Sequence, residues 1–464
     1  MTENQIRGLG PALDRYLDSF LFCFSFTQTF EHLRTYCRGL LSDLPRKSAE
    51  PIALASGTPV RTLQEFLRDH SWDHLQMTTI AQKRAAALLP TLDDDGLGTV
   101  GLIDETGQPK KGVKTPGVQR QWCGRLGKVD NCIVTVHLGV TRGRFTALLG
   151  GDLFLPKEWS KDRERCKQAG IPDKVVYRPK WGIALEQYDL AKANGVKMDW
   201  LTFDEGYGNT PAFLDALEDR CQRFIGEVPR TLACHAASGV EAPDKSEAST
   251  PAERILVPVL LEGQGVAVRV PRESTADEVW QAIEMTVWLS KGKGWSVRSY
   301  RLVAAFNART REVKYFVSNA PAWVGLDVLV RAAFRRAPIE HAFGIQKGEL
   351  GFGHYEGRSY LGLLRHLTVC CVIGLFVAER AAGAQKKNSE VTVEQVCFAL
   401  RAVNWLWLRF RRGLGVIAAA AETLAYHQQR NAEARESHKK RFVTPKFWIV
   451  PSSRMSFSPP ALAM

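Results

Sequence analysis

Two short stretches of the chain end apolar runs in acid. "TVGLIDETG" (99–107) sets Asp104 and Glu105 behind Val100, Leu102 and Ile103, and "WLTFDEGYG" (200–208) sets Asp204 and Glu205 behind Trp200, Leu201 and Phe203. If both runs are strands of one sheet, alternation sends the two acids of each pair to opposite faces, so one of each reaches a shared cleft. Asp104 and Asp204 directly follow their apolar runs and are expected to converge, with Glu105 and Glu205 starting the turns. A third acid would complete an oxygen-donor site for a hard cation. Glu340 offers it, from a helix expected within 331–350; Glu349 is the alternative. Arg336, Glu340 and Lys347 fall within about 40° on one helical face at 3.6 residues per turn. Pro338 either starts this helix or kinks it.

Three such carboxylates would hold two Mg²⁺ ions (or Mn²⁺ in their place) about 4 Å apart. One ion makes a nucleophile from water or a 3′-hydroxyl, and the other stabilises the leaving oxygen of an in-line phosphoryl transfer. The ions also relieve the repulsion among the acids. Arg336 and Lys347 would clamp the flanking phosphates. The plainer alternatives are an Asp-Thr-Gly turn and a surface Arg–Glu pair one helical turn apart.

The elements that must position these residues follow from texture. Residues 1–95 read as helices: "TPVRTLQEFLRDHSW" shows Thr62 and Glu65 at capping-box spacing, and "IAQKRAAALLP" is stopped by Pro90. From about 98 come strand-like "TVGLID", "DNCIVTVHLGV" and "RFTALLGGDLFL", then helical "WGIALEQYDLAKANG", strand "MDWLTFDEGYG", helix "TPAFLDALEDR" and strand "RFIGEVP". Three strands in series followed by helix–strand–helix–strand is an α/β layout around a mixed sheet. The polar stretch "HAASGVEAPDKSEASTPAE" reads as a surface loop. Behind it lie strand-like "RILVPVLLEG", "GVAVRVPR", "WSVRSYRLVAAF" and "EVKYFVSN", with a helix expected at "TADEVWQAIEMTVWL". The expected segments are a helical N-terminal domain (1–95), a core in two parts (96–230 and 321–380), a β-rich insertion (231–320), and a helical C-terminal region with a basic tail (381–464).

With 62 basic against 49 acidic residues the 464-residue chain carries +13, which favours a polyanionic partner such as nucleic acid. The cations cluster in places. "KKGVKTPGVQRQWCGRLGK" holds Lys110, Lys111, Lys114, Arg120, Arg125 and Lys128 beside the first acid, a DNA-contact segment; "HKKR" (438–441) reads as a phosphate-seeking tail. "WLWLRFRR" (405–412) reads as an amphipathic helix with its Trp and Leu inward. Ten cysteines without a CxxC pair favour free thiols in a reducing, cytoplasmic setting, and Cys234-His235 lacks a second pair at zinc spacing. "LDSFLFCFSF" is too short and polar to span a bilayer, and no secretory leader is expected.

The stretches "LIDETG", "RQWCGRLGKVDNC", "TFDEGYG" and "RRAPIEHAFGIQKGELGFGHYEGRSYLGLLRH" resemble bacterial insertion-sequence transposases of the DDE, RNase H-like superfamily. The resemblance is to the insertion-sequence 701 type, allied to the group with a Tyr-Arg-Glu-Lys motif, and it covers about residues 10–375. It implies an RNase H-like mixed sheet flanked by helices and interrupted by a β-rich insertion. It also implies a metal-dependent enzyme that nicks DNA at transposon ends and joins the 3′-hydroxyl to target DNA by a cut-and-paste route. The acids of the family fall on Asp104, Asp204 and Glu340, its Arg and Lys on Arg336 and Lys347. Ala333 stands where the motif has tyrosine, a role open to Tyr355 or Arg358. A tryptophan of the insertion stacks on a flipped base in some relatives; Trp295, beside Lys291 and Lys293, fits better than Trp280 or Trp288, which read as core. His137 and His235 read as structural, while His366 would face the cleft. Implied partners are double-stranded DNA and a second copy when two ends are synapsed, in the bacterial cytoplasm at the nucleoid, with no membrane. Two alternatives remain: an idle, transposase-derived DNA-binding protein, and an RNase H-like nuclease on another nucleic acid.

Overall fold

A computed structural model describes residues 1–237, 241–262, 265–271, 277–386, 388 and 390–442. The chain divides into two compact units, Met1–Arg411 and Arg412–Met464. In the second, one helix (Val416–Phe442) is described, and Arg412 hydrogen-bonds the Ala419 carbonyl and the Glu422 carboxylate. The side chains of the "HKKR" stretch and all of 443–464 lie outside the described residues.

The first unit is built on strands β1 (Val100–Pro109), β2 (Gln119–Cys123), β3 (Lys128–Arg142), β4 (Phe145–Leu153), β5 (Trp200–Thr202) and β6 (Ile225–Val228). β4, β3 and β1 pair antiparallel in that order, and β5 lies parallel to β1 with Leu102 opposite Thr202. A parallel bridge Leu201–Phe224, with the Glu227 amide donating to the Phe203 carbonyl at 3.0 Å, adds β6. The spatial order β4-β3-β1-β5-β6, three antiparallel strands then two parallel ones, is the RNase H-like mixed sheet. β2 extends it by pairing with β3. Gly151 and Gly226 let rings lie on this sheet: a Cβ would sit 2.0 Å from His137 Cε1 in one case and 1.9 Å from Phe203 Cε2 in the other.

The stretch 231–320 is rich in strands: β7 (Ala233–Ala236), β8 (Thr250–Pro251), β9 (Val266–Val270), β10 (Glu278–Lys291), β11 (Gly294–Trp295), β12 (Tyr300–Asn307) and β13 (Glu312–Ser318). Its sheet is continuous with the first, because β13 pairs with β6 from Ile225–Ser318 to Val228–Tyr315.

Several elements differ from the sequence reading. The expected helix at "TADEVWQAIEMTVWL" is β10 over its described part; pairing with β12 on one side and β7 and β9 on the other overrides the helix preference of its Ala, Glu and Met residues. The expected strand "RILVPVLLEG" is the helix Ala252–Leu261 with Pro258 inside it; a short continuous apolar run has no periodicity to separate the two states. Thr62 and Glu65 lie within the helix Val60–Arg68, which starts after Pro59, so they form no capping box. β1 does not stop at Asp104-Glu105 but runs five residues past Asp104 to Pro109, held by β3, and the second acidic strand is only Trp200–Thr202.

Helices within 1–95 pack around one long helix, Tyr360–Gln385, rather than around themselves alone. Tyr16 donates to the Val372 carbonyl at 2.7 Å, Tyr36 bonds His366 Nδ1 at 2.9 Å, and Arg84 pairs with Glu379. That helix is long and apolar enough to cross a membrane by composition, but 78% of its apolar window is buried in the molecule, as a core helix requires. In Val393–Arg412 only part of the expected inward face of Trp and Leu is met: Leu408 is buried, while Trp405 and Leu406 are exposed.

Candidate active site

Asp104 sits mid-strand opposite His137 of β3, two residues past the last β1–β5 pair, Leu102–Thr202. Extending the β1–β5 register two residues past Leu102–Thr202 brings Asp104 level with Asp204. Asp204 caps the short helix Glu205–Gly208: its Oδ1 accepts from the Gly206 amide at 3.0 Å and from the Tyr207 amide at 3.4 Å. Behind it Phe203 is fully buried against β6. Alternation works as expected at Asp104 and Glu105. Asp104 faces Arg336, whereas Glu105 turns to the other side and pairs with Lys180 of the helix Lys180–Ala193.

Pro338 starts, and does not kink, the helix Ala337–Gly348, and Arg336 is its N-cap residue. From there the Arg336 guanidinium reaches three acids. Nη1 donates to Asp104 Oδ2 at 3.1 Å, Nη2 to Glu340 Oε1 at 3.1 Å, and Nε lies 4.0 Å from Glu227 Oε2. Glu340 is 64% exposed and is joined to Asp104 through this arginine. Glu227, on β6, also accepts from Lys314 Nζ at 2.8 Å.

Burial dominates the electrostatics. It pushes the Asp104 carboxyl up to about 7; Arg336 and the Glu105 amide oppose this, and the Asp204 charge adds to it. Burial likewise works against the Arg336 charge, but Asp104, Glu340, Glu227 and Asp204 together hold the guanidinium above its ordinary value. Lys347 is lowered by burial and then by Arg125, while Asp104 pulls the other way. Its Nζ lies 5.3 Å from the Phe343 ring centroid. The buried Tyr207 phenol is raised by burial and then by Glu105, Asp204 and Asp104.

The donor set is all carboxylate oxygen, the chemistry of a hard divalent cation. A carboxylate as buried as Asp104 beside Asp204 calls for a positive charge, and the guanidinium supplies it here. The Asp104 and Asp204 charges act on one another; among the described residues, no three acid, His or Cys side chains stand together as a metal cluster.

The other sequence candidates separate by exposure. Arg120, Arg125 and Lys128 are exposed on and around the β2–β3 hairpin, whereas Lys110 is spent internally on the Tyr355 carbonyl at 2.6 Å and lowered by burial to about 8. Trp295 is half-buried, its indole N–H donating to the Asp244 carbonyl at 3.0 Å; Trp280 and Trp288 are strand core. Tyr355 is buried and donates to the Ser359 carbonyl, while Arg358 is exposed. Ala333 is buried in the core. His366 does not face the cleft: it is fully buried between Tyr36 and the Phe352 carbonyl, and burial lowers it to about 4. His137 is a core histidine between Thr135 and the Gly150 carbonyl. His235 pairs with Glu247 and Cys234 is buried, with no zinc arrangement among the described residues.

Sequence reading missed Glu227 and Tyr207. The signal for Glu227 was present: "RFIGEVP" is a third strand with an acid near its end, parallel to the second.

The family model described as DDE superfamily endonuclease matches residues 19–292, which include Asp104 and Asp204. The chain is also similar to a probable transposase for insertion sequence element IS701 from Microchaete diplosiphon, 34% identical over 215 residues. That match takes in 46% of this chain and 52% of the relative, so the chain spans about half the length of the curated relative it matches. A family match over more than half the chain, on a mixed sheet of RNase H-like order, makes this protein a member of the DDE superfamily of endonucleases.

Proposed function

We propose that the protein is a DNA transposase that cleaves DNA at the ends of its element and joins the freed 3′-hydroxyl to target DNA by a cut-and-paste route. The observation that carries this reading is the buried Asp104, level with Asp204 and neutralised by a cation. Asp104, Asp204 and Glu340 would hold divalent magnesium, with manganese able to substitute. When bound, the metal supplies activation of the attacking oxygen and stabilisation of the leaving one. The chain's own residues do the remainder. Arg336 holds Asp104 and Glu340 in one electrostatic unit. Lys347 and Arg125, whose charges already act on one another beside Asp104, bind the phosphates flanking the cut. Arg120, Lys128 and Arg358 bind the duplex further out, and two copies bring two ends together. The protein works in the cytoplasm on nucleoid DNA. In domain terms, 96–230 and 321–380 carry the chemistry, 231–320 is the insertion, and 1–95 and 381–464 are the flanks, helical over their described parts.

A second reading, a DNA-binding protein without catalysis, has one observation in its favour: Arg336 stands between Glu340 and Asp104. Incubation with the element's end sequence and Mg²⁺ separates the two. Cleavage at the terminus that disappears in Asp204→Ala supports the transposase; tight binding without cleavage supports the second reading.

A further inference from the structure

The β2–β3 hairpin displays an apolar pair where solvent is expected. Trp122 and Val129 stand opposite each other in the antiparallel ladder, 62% and 52% exposed, with the partly exposed Leu126 at the turn between them. Their neighbour Cys123 points the other way and is fully buried with Cys132 and Val134. The hairpin is therefore anchored by one face and offers the other.

That offered face is the one that carries Asp104. Asp104 is opposite His137, Thr106 opposite Thr135 and Gln108 opposite Ile133, and on β3 the alternation continues through Asn131 to Val129, hence to Trp122 and Arg120 across the hairpin. The surroundings are cationic. Arg120 shares the face with Trp122, and Arg125 and Lys128 flank the turn. Arg125 Nη1 lies 3.5 Å from where a Cβ on Gly353 would stand, on the segment that follows the glutamate helix. Other exposed tryptophans are covered: Arg223 lies over Trp323 at 5.3 Å and Arg409 over Trp405 at 4.5 Å. Among the described residues no cation covers the Trp122 ring. An uncovered indole bordered by cations is the composition of a stacking platform for an unpaired base, whose phosphates the cations hold.

We propose that Trp122, and not Trp295, receives an unpaired base of DNA at the tip of this hairpin, eight residues along β3 from the pair that includes Asp104, with Val129 backing the indole and Arg120, Arg125 and Lys128 gripping the strand. The inference rests on the DNA reading above.

The test compares a blunt duplex with the same duplex carrying a short single-stranded overhang that contains 2-aminopurine, by anisotropy and fluorescence without divalent metal. The wild type is expected to quench the 2-aminopurine and to bind the overhang duplex about tenfold more tightly than the blunt one. Trp122→Ala should abolish the quenching and the preference while leaving blunt-duplex affinity in place; Trp122→Phe should keep most of both; Trp295→Ala should keep both. A wild type without preference, a Trp122→Ala protein that retains it, or loss of it in Trp295→Ala instead overturns the proposal. So does a Trp122→Ala protein that changes only its oligomeric state, which would make the pair a protein interface. Preference that depends on Trp122 without any Asp104-dependent cleavage would sink the transposase reading and leave this one standing.

Discussion

The Arg336 guanidinium donates to Asp104 at 3.1 Å across 232 residues of sequence, and through its other terminal nitrogen it carries Glu340 with it. It is the countercharge of a carboxylate that burial would otherwise protonate. Arg336→Ala leaves Asp104 buried beside Asp204 without that charge. We expect a loss of about 3 kcal/mol at pH 8 in metal-free urea unfolding, the scale of breaking a buried pair. The loss should shrink at pH 5, where Asp104 takes up a proton. Equal losses at both pH values would contradict this arrangement.

The same carboxyl gives a pH dependence with a definite sign. Its native value of about 7 lies above the ordinary carboxylate value of 3.8, so the native state holds a proton that the unfolded state has released. Stability from this group is therefore full below about pH 4 and falls as pH rises to about 7. Asp104→Asn should remove that slope: Tm nearly unchanged at pH 4 and higher than wild type at pH 8 in chelator. A variant that melts lower than wild type at pH 8 refutes it.

Asp204 does two jobs that substitution can separate. Its Oδ1 caps the Glu205–Gly208 turn, and its charge acts on Asp104. Asp204→Asn keeps a capping oxygen and should hold its Tm while losing DNA cleavage. Asp204→Ala should lose cleavage and about 1 kcal/mol besides. Paired melting and cleavage measurements decide the point.

Lys347 and Arg125 act near the acids but belong to separate elements. Each alanine variant should weaken duplex binding for every sequence alike, and each should lower the slope of log K against log salt by about 1. A salt titration that leaves the slope unchanged removes that residue from the phosphate contacts.

Trp280 is 1% exposed, its ring 4.5 Å from that of Phe334. Trp280→Ala should cost about 3–5 kcal/mol and Trp280→Phe much less, read by urea unfolding. A loss under 1 kcal/mol would mean that this part of the second sheet does not pack as a core.

The succession of strands in the mixed sheet was readable because β3, β4 and β6 carry apolar runs bounded by turns, and because acids behind apolar runs marked β1 and β5; their spatial order was not. Asp104, Asp204 and Arg336 could be picked out for the same reason: local spacing fixes face and phase. Where the reading failed, partners distant in sequence decided. β10 is a strand because β12, β7 and β9 bracket it, and "RILVPVLLEG" carries no period to overrule its apolar content. Glu227 escaped because what matters about it is Lys314 on one side and Arg336 on the other, 87 and 109 residues away. His366 matched a family pattern, yet its ring is locked by Tyr36 from the N-terminal helices, a contact no local window contains.

The pairing of β6 with β13 has a mechanical result. Backbone hydrogen bonds run without a break from β10 through β12 and β13 to β6, and from β6 by way of Phe203 to the strand end that bears Asp204. The outer strands of 231–320 are thereby tied by hydrogen-bonded backbone to the segment that bears Asp204, with no loop intervening.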